Sequence, residues 1–262
     1  MNQTGQGSEP QVARRRNYRD LSQAKKNQLV DALIGLKADG TVSRFAAQHA
    51  FMFSAGIYHT SFFLPWNRRF IYLFEKELQR ANPSITLPYW DSTVDQSPGD
   101  PLWAADFMGQ FDLTWALGRW LSDGLLLPPH LQRLFGITPP TLATQAGYAA
   151  HLATTSFQSF SSGTEKTYHN PPHRWVGGAM RGTAAPSDPV FYLHHCWIDR
   201  MWAEWQEADG RARFGSFEEY VGNSVPGHVH FGSYAMDDPL PGIGGTPRGQ
   251  FDYKALGYDY GL

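Results

Sequence analysis

The sequence contains a single cysteine, Cys196, among 262 residues. One thiol excludes any disulfide within the chain, so the fold is not a small scaffold held by bridges, and a reducing compartment is compatible with this composition. Cys196 lies in an apolar stretch, which favours a buried core residue over a reactive thiol.

Long hydrophobic runs and a charge excess are also absent. No apolar stretch reaches the roughly 20 residues that cross a bilayer, and the first residues lack the apolar segment of a signal peptide. With 22 basic and 24 acidic residues the formal net charge is −2. The sequence therefore lacks the excess of positive charge that is typical of proteins that bind nucleic acid. We expect a soluble protein without nucleic-acid or membrane partners, either cytoplasmic or exported without an evident signal peptide of its own.

Aromatic residues, by contrast, are abundant. They make up 15% of the chain and include nine tryptophans, which predicts a dense core and an aromatic-lined pocket. No shift in composition divides the chain, and its length fits one large domain. We predict a disordered Gly- and Gln-rich leader over 1–13 and a single domain over 14–262.

Helical periodicity recurs along the chain. It predicts helices over 21–37, over 42–53 and over 62–78, the last entered through Pro65. The basic run at 14–16 is expected to be solvated. Between 92 and 162 the chain is rich in Pro, Gly and Thr, and we expect excursions over the core surface there, with one short apolar run at 115–127. A further short helix is predicted over 217–221.

The stretch 187–206 gives the strongest helix signal. Asp188 is a good N-cap and Pro189 a good first helical residue, because the missing N–H of proline costs nothing there. Apolar residues recur on one face at steps of three and four: they are Val190, Leu193, Trp197, Met201 and Trp205. The same helix carries the adjacent histidines His194 and His195.

His169 and His173 have the spacing of ligands on one helical face. The prolines between them are tolerated in a first helical turn. With His195 they could hold one metal and leave a position open; imidazole suits Zn, Cu, Fe and Ni, and spacing does not separate zinc from copper. Carboxylates at comparable spacing are missing, which argues against a di-iron site. The alternative is three unrelated core or surface histidines.

His49 and His59 offer the start of a second metal site. His49 shares the predicted inward face of 42–53, and His59 follows in a loop, but no third histidine is obvious nearby. The remaining histidines lie in loop-like surroundings and are predicted to be surface residues: His130, His151, His228 and His230.

Several runs together resemble a known family. They are FLPWNRRF at 63–70, LPYWD at 87–91, HNPPHRWVGG at 169–178, DPVFYLHH at 188–195 and LGYDY at 256–260. The resemblance is to the tyrosinases and polyphenol oxidases, coupled dinuclear (type 3) copper proteins, in their bacterial single-domain form. It implies a mainly α fold whose central four-helix bundle holds two copper ions, with long loop-rich excursions and O2 as co-substrate.

The resemblance also assigns residues. It places the second copper on His169, His173 and His195, with His194 as a neighbour that does not bind metal. The first copper takes His49, His59 and the residue at Asn67. At Asn67 the family has histidine, and the spacing from His59 is one residue shorter. Natural divergence, an engineered substitution and replacement by a neighbouring group all stay open, and the spacing favours divergence.

Four further side chains receive roles from the same motifs. Asn170 is the predicted catalytic helper, which positions a water or a substrate hydroxyl; the alternative is a local turn-forming hydrogen bond. Glu165 lies closer to His169 than the acidic residue that the family uses to hold a water. Arg174 either lines the pocket mouth or pairs with a surface carboxylate. Asp199 either orients a ligand imidazole or pairs with Arg68 or Arg69.

The function that this resemblance implies is a copper-dependent oxidase of small phenols or aminophenols. It covers ortho-hydroxylation of monophenols and oxidation of o-diphenols or o-aminophenols to quinones or quinone imines. One alternative is a degenerate homologue with one copper and altered chemistry or a partner role. A reversible oxygen carrier is disfavoured, because we expect a single short domain without a covering domain. A helper protein that loads the copper is a further partner to consider.

Overall fold

The computed structural model describes residues 13–54, 60–109, 131–135, 141–208 and 235–262. Within these ranges the α-helices are α1 Gln23–Ala38, α2 Thr41–Ser54, α3 Phe63–Ala81, α4 Gln145–Leu152, α5 Phe157–Gly163, α6 Asn170–Val176, α7 Val190–Glu207 and α8 Arg248–Phe251. None of the helices in the described ranges combines the length and apolar character that crossing a membrane requires.

Short elements connect and flank these helices. A π-helix, Thr164–His169, joins α5 to α6, and 3₁₀ turns occur at Tyr18–Asp20, Pro101–Trp103, Gly178–Arg181, Ala185–Ser187 and Lys254–Leu256. Strand β1, Ala13–Arg14, pairs in parallel with β2, Tyr258–Asp259. Ala13, the last residue of the predicted leader, is therefore part of a strand.

The first three helices confirm the periodicity of the sequence. The helix predicted over 21–37 begins after Ser22, whose Oγ accepts the backbone N–H of Lys25 at 3.3 Å. The one predicted over 42–53 is α2, and the one predicted over 62–78 is α3. Pro65 lies in the first turn of α3, where no intrahelical bond needs its nitrogen.

Four segments pack around one centre: α2, α3, the π-helix with α6, and α7. Phe45 of α2 meets Phe70 of α3 edge to face, with ring centroids 5.1 Å apart. Phe74 of α3 stacks on Tyr192 of α7 at 3.5 Å. Phe63 at the start of α3 contacts the ring of His169. These contacts form the central helical bundle that the family resemblance implied.

The core is as aromatic as the composition predicted. Six tryptophans are among the largest fully buried side chains: Trp66, Trp90, Trp103, Trp197, Trp202 and Trp205. Cys196 is also fully buried, as expected for a core residue. Desolvation by burial raises the pKa of its thiol to about 12, so it carries no thiolate at neutral pH.

The helix predicted over 187–206 is α7. It begins at Val190, one residue later than the expected first position at Pro189. Asp188 still acts as a cap, because its Oδ1 accepts the backbone N–H of Val190 at 2.9 Å. The same buried carboxylate forms an ion pair with Arg133 at 2.6 Å, which fixes the entrance of α7 to a neighbouring segment.

The excursions expected between 92 and 162 contain two helices that the sequence did not predict. Helices α4 and α5 lie there, each opened by a hydroxyl cap. Thr144 Oγ1 accepts the N–H of Gly147 at 3.1 Å, and Ser156 Oγ accepts that of Ser159 at 3.2 Å. Both helices are too short for a hydrophobic period to stand out in the sequence. The apolar run at 115–127 and the helix predicted over 217–221 lie outside the described residues.

The surface assignment of His151 was also wrong. It belongs to α4, and its ring stacks between Phe160 at 4.7 Å and Tyr168 at 4.9 Å. Desolvation by burial lowers its pKa to about 4. Short helices bring the three rings together, which spacing along the chain does not indicate. His130, His228 and His230 lie outside the described residues.

The basic run at 14–16 is not fully solvated, because Arg15 is completely buried. Its guanidinium pairs with Glu75 of α3 at 2.7 Å and with Asp199 of α7 at 3.0 Å. Arg68 of α3 pairs with the other oxygen of Asp199. Two arginines and two carboxylates thus form a buried, charge-balanced network, which we call the Arg15 network. It connects β1 to the two central helices.

Candidate metal centre

Three imidazole nitrogens converge at the centre of the bundle. His169 ends the π-helix, His173 lies one turn later in α6, and His195 lies in α7. Their Nε2 atoms are 3.1 to 3.3 Å apart in all three pairs. A triangle of this size fits one ion at roughly the 2.0–2.1 Å that imidazole–metal bonds require.

Hydrogen bonds on the other ring nitrogens fix which atoms face the centre. His173 Nδ1 donates to the carbonyl oxygen of Met180 at 2.7 Å, and His169 Nδ1 donates to Asn170 Oδ1 at 2.9 Å. Each proton is therefore on Nδ1, and the Nε2 lone pairs of these two rings point at each other 3.2 Å apart. Lone pairs at this distance repel unless a cation lies between them, so the donor set fits a metal.

The protonation state of the rings also suits a metal. Desolvation by burial lowers the pKa of His173 to about 4 and holds the pKa of His169 and His195 well below the ordinary value. All three rings are consequently neutral at physiological pH, and neutral imidazole is the form that binds metal.

His194 lies in the same cluster, but its Nε2 is directed at the backbone and not at the three converging nitrogens. The four histidines at 169, 173, 194 and 195 place ring nitrogens within 4.8 Å of one another. His194 Nε2, however, donates to the backbone carbonyl of His169 at 3.1 Å. This bond links α7 to the end of the π-helix and takes His194 out of the triangle.

Phe191 packs against both His195 of this triangle and His49. Its ring lies flat on His195, with centroids 3.8 Å apart, and meets His49 edge to face at 5.2 Å. Phe191 precedes His195 by one turn of α7, so its place on the same face follows from helical spacing. Its contact with His49 as well depends on the packing of α2 against α7, which residue spacing along the sequence does not show.

Two of the three residues assigned to the first copper can be located. His49 is buried, and its Nδ1 donates to the carbonyl oxygen of Thr183 at 2.7 Å, so Nε2 carries the lone pair. Desolvation by burial lowers its pKa to about 3. His59 lies outside the described residues.

Asn67 is buried in α3 and only half satisfied. Its Nδ2 donates to the carbonyl oxygen of Phe63 at 2.7 Å, whereas its buried Oδ1 has no hydrogen-bond partner among the residues that the structure describes. Exchanging the two amide atoms would place two oxygens in contact, so the orientation is fixed by chemistry. A buried acceptor without a donor is unfavourable and fits a site where a cation or water completes it.

The other residues with predicted roles lie at different distances from the histidine triangle. Asn170 accepts a hydrogen bond from the ring of His169, one of the predicted ligands. Asp199 belongs to the Arg15 network, and the hydrogen bonds of its carboxylate in the described chain go to Arg15, Arg68, Tyr258 and Tyr260 and not to His195. Glu165 is buried in the π-helix. Sequence reasoning missed the carbonyls of Met180 and Thr183, because a backbone acceptor leaves no signal in the side-chain pattern.

The π-helix brings His169 to the triangle. The backbone N–H of Asn170 bonds the carbonyl of Glu165, five residues back, as in other π-turns at functional sites. His151 Nε2 lies 2.8 Å from Thr164 Oγ1 in its first turn. The sandwiched ring of His151 therefore packs against the turn that leads to a ligand.

Gly163→Ala is expected to lower the free energy of unfolding by about 1–3 kcal/mol, as overpacking does. A Cβ at this position would lie 2.6 Å from His151 Cε1, and the stacked ring cannot move aside. Urea unfolding measures the change. Gly35→Ala in α1 is the control: a Cβ there meets nothing within 4 Å, so helix propensity should stabilise the protein by up to about 1 kcal/mol. Equal effects of both substitutions would contradict the packing argument.

A cavity of about 310 Å³ opens beside the triangle. The rings of His49, His169 and His173 form part of its wall, together with Asn170. The histidine assigned to the first copper and two of the histidines assigned to the second thus face one space, which is large enough for a small aromatic molecule.

A helical bundle that brings three neutral imidazoles to one point beside an open cavity defines a histidine-ligated metalloprotein. The family model for the common central domain of tyrosinase matches residues 39–113 and 132–208, more than half of the chain. The tyrosinase of Streptomyces antibioticus is 34% identical over 228 residues, which cover 73% of this chain and 82% of the relative. The chain belongs to the tyrosinase family, as its motifs indicated, and is a copper oxidoreductase.

Solved structures share the fold. A polyphenol oxidase variant from Thermothelomyces thermophila superposes with a TM-score of 0.67 at 19% identity, covering 95% of this chain and 88% of the other. A functional unit of octopus hemocyanin gives 0.66 at 22% identity, covering 96% and 68%. The predicted mainly α fold is confirmed. The family uses a dinuclear copper site with O2 and acts on phenols.

Proposed function

We propose that this protein is an O2-dependent oxidase of small phenols. It hydroxylates monophenols at the ortho carbon or oxidises o-diphenols or o-aminophenols to quinones or quinone imines. The observation that carries the proposal is the triangle of Nε2 atoms from His169, His173 and His195, two of whose rings, His169 and His173, line an open cavity.

In this proposal the residues of the chain bind copper, orient the ligand imidazoles and the substrate, and shield the site from water. His169, His173 and His195 hold the second copper, and the carbonyl of Met180 keeps the proton of His173 on Nδ1. Copper held there supplies the electron transfer by which O2 is reduced while the phenol is oxidised. Asn170 orients the His169 ring and borders the cavity, where its Nδ2 can donate to a substrate hydroxyl. Phe191 keeps water from the face of His195.

The first copper is assigned to His49, His59 and Asn67. The partnerless Oδ1 of Asn67 supports a ligand role, because coordination would satisfy it. An amide oxygen is nevertheless a weak donor for copper that cycles through Cu(I), so we expect looser binding than at the second site. This weakness is also the observation that favours the second candidate, a one-copper homologue with altered chemistry.

Copper per chain, counted together with EPR on the oxidised protein, tests the proposal. Two coppers per chain with little EPR intensity would indicate a coupled pair, and O2 consumption with a phenol would separate an oxidase from an oxygen carrier. Asn67→His should then tighten the first site, with Asn27→His, an exposed residue of α1, as the control for adventitious binding. A strong signal at one copper per chain would sink the two-copper oxidase.

A further inference from the structure

We propose that a second cavity, formed by β1, the start of α1 and residues 83–86, binds a small organic phosphate monoester. We call it the β1 cavity. The phosphate contacts Arg14, Arg16 and Lys25, and the apolar body of the ligand lies against the apolar part of the wall. Binding there does not depend on the copper chemistry of the histidine triangle.

The β1 cavity is separate from the one beside the triangle. Its volume is about 550 Å³, against about 310 Å³ for the other, and it lies within the roughly 300–1,000 Å³ of small-molecule sites. Its described lining residues fall within 13–29 and 83–86, and none of them also lines the histidine cavity. A ligand bound there would therefore not occupy the phenol site.

The described wall of the β1 cavity has an excess of positive charge. Arg14, Arg16 and Lys25 line it, and Asp20 is the one acidic residue among the described lining residues. The chain as a whole has a formal net charge of −2, so the excess is local. A concave surface with three cations and one acid attracts anions, and a phosphate monoester carries close to two negative charges at neutral pH.

Arg16 is the cation that is most available to a ligand. Arg14 and Arg16 flank the buried Arg15, and the alternation of side chains along an extended chain places both on the cavity side. Most described arginines lie within ion-pair distance of a carboxylate. Arg16 is exposed, and its guanidinium has no ion pair or hydrogen bond within the described ranges. It can therefore bind an anion without breaking an existing contact.

The other two cations are held at the cavity by surface contacts. Lys25 Nζ donates to Ser84 Oγ at 3.2 Å, and Arg14 Nε lies 3.4 Å from a carboxylate oxygen of Asp259. Exposed contacts of this kind contribute little, so a phosphate can replace them. Arginine binds phosphate oxygens through two parallel hydrogen bonds, and lysine binds them as a point charge. Two arginines and a lysine thus match a phosphate better than a singly charged group.

The rest of the wall includes apolar surface. Leu21, Leu29, Pro83 and Ile85 line the β1 cavity, and Leu29 and Ile85 also belong to the hydrophobic core. An apolar body on the ligand would remove water from this surface, which is favourable. An organic phosphate should consequently bind more tightly than inorganic phosphate.

A ligand in the β1 cavity should also stabilise the fold. Thr86 Oγ1 donates to the backbone carbonyl of Arg14 at 3.1 Å, and the neighbouring Arg15 pairs with Asp199 of α7. The cavity wall is therefore continuous with the Arg15 network and exists only in the folded chain. A ligand that binds only the folded state raises the midpoint of thermal unfolding by mass action.

The test uses phenyl phosphate as the probe on the copper-loaded full chain, with phenyl sulfate and inorganic phosphate as comparisons. Calorimetry should show one phenyl phosphate per chain. It should bind about fivefold more tightly than phenyl sulfate, which carries less charge, and roughly tenfold more tightly than inorganic phosphate, which lacks the ring. The midpoint of thermal unfolding should rise with its concentration.

Arg16→Gln combined with Lys25→Gln should weaken phenyl phosphate binding roughly tenfold and remove the rise in the midpoint. Both residues are exposed, and the midpoint without ligand shows that the variant is folded. Arg248→Gln is the matched control, because Arg248 is an exposed arginine that does not line the β1 cavity. It should leave the affinity unchanged.

Three outcomes would overturn the proposal. One is no binding of phenyl phosphate to the unsubstituted chain. Another is unchanged affinity in the double glutamine variant, or an equal loss in Arg248→Gln, since either result places the ligand outside the β1 cavity. The third is equal affinity for phenyl phosphate and phenyl sulfate, which would show that the cavity does not select a doubly charged phosphate.

Discussion

His195→Ala is expected to remove copper from the second site and to abolish phenol oxidation. The substitution deletes one of three converging Nε2 atoms, and the Nε2 of the adjacent His194 is bonded to the carbonyl of His169. The loss of affinity should exceed the roughly 10–100-fold that removing a ligand's outer hydrogen-bond partner causes. Copper per chain after dialysis and kcat from O2 uptake measure the two effects.

His194→Gln is the matched control for that experiment. His194 is as deeply buried as His195, and a glutamine amide can still donate to the carbonyl of His169. We expect this variant to keep its copper and most of its activity. If it lost as much copper as His195→Ala, the ligand role would belong to the pair of histidines and the assignment of His195 alone would be wrong.

Asp199→Ala is expected to lower the free energy of unfolding by about 3–5 kcal/mol, the usual result of breaking a buried ion pair from one side. Asp199 pairs with both Arg68 and Arg15 and accepts the hydroxyls of Tyr258 and Tyr260 at 2.7 and 2.6 Å. Its removal leaves two buried guanidinium groups with reduced compensation and two hydroxyls without this acceptor. Urea unfolding of the copper-free protein measures the change.

Asp237→Ala is the comparison, because Asp237 forms an exposed ion pair with Arg248. Pairs of this kind contribute little to stability, so no measurable change is expected. Equal destabilisation by the two substitutions would show that the buried network contributes no more than a surface pair.

Lowering the pH should remove the stabilisation that the Asp199 ion pairs contribute to the unsubstituted protein. Burial alone would raise the pKa of Asp199, but Arg68 and Arg15 outweigh it and hold that pKa below its ordinary value. The ionised form is therefore favoured in the folded state. Its contribution is present above the unfolded pKa of about 3.9 and is lost as the pH falls through the lower folded pKa. Asp199→Ala should show a weaker loss of stability over that range.

Local patterns were enough to place the ligand-bearing helices. The apolar period of 187–206 predicted α7, and the spacing of His169 and His173 predicted two ligands on one face. Helix periodicity is a property of neighbouring residues, so it survives in the sequence. Boundaries moved by a residue or two, as at Val190, because the cap residue Asp188 also pairs with Arg133.

Long-range partners could not be derived in this way. Arg15 looked like part of a solvated basic run, yet it is buried against Glu75 and Asp199, residues 60 and 184 positions away. His151 looked like a surface histidine, yet it is stacked between two rings beside the π-helix. Arg15 is fully buried and His151 partly buried because segments distant in the sequence complete their contacts, which adjacent residues do not encode.

The sequence by itself determined the longer helices α1, α2, α3 and α7, the family, and which three histidines are assigned to the second copper, since periodicity and motif residues are local. Tertiary packing alone decided that the Nε2 atoms of His169, His173 and His195 lie 3.1 to 3.3 Å apart. It also decided that the backbone carbonyls of Met180 and Thr183 orient two imidazole rings. The side-chain oxygen of Asn67, which has no hydrogen-bond partner among the described residues, is likewise a result of packing. A metal site depends on distances of a few ångströms between separate elements, and the packing of helix on helix sets those distances.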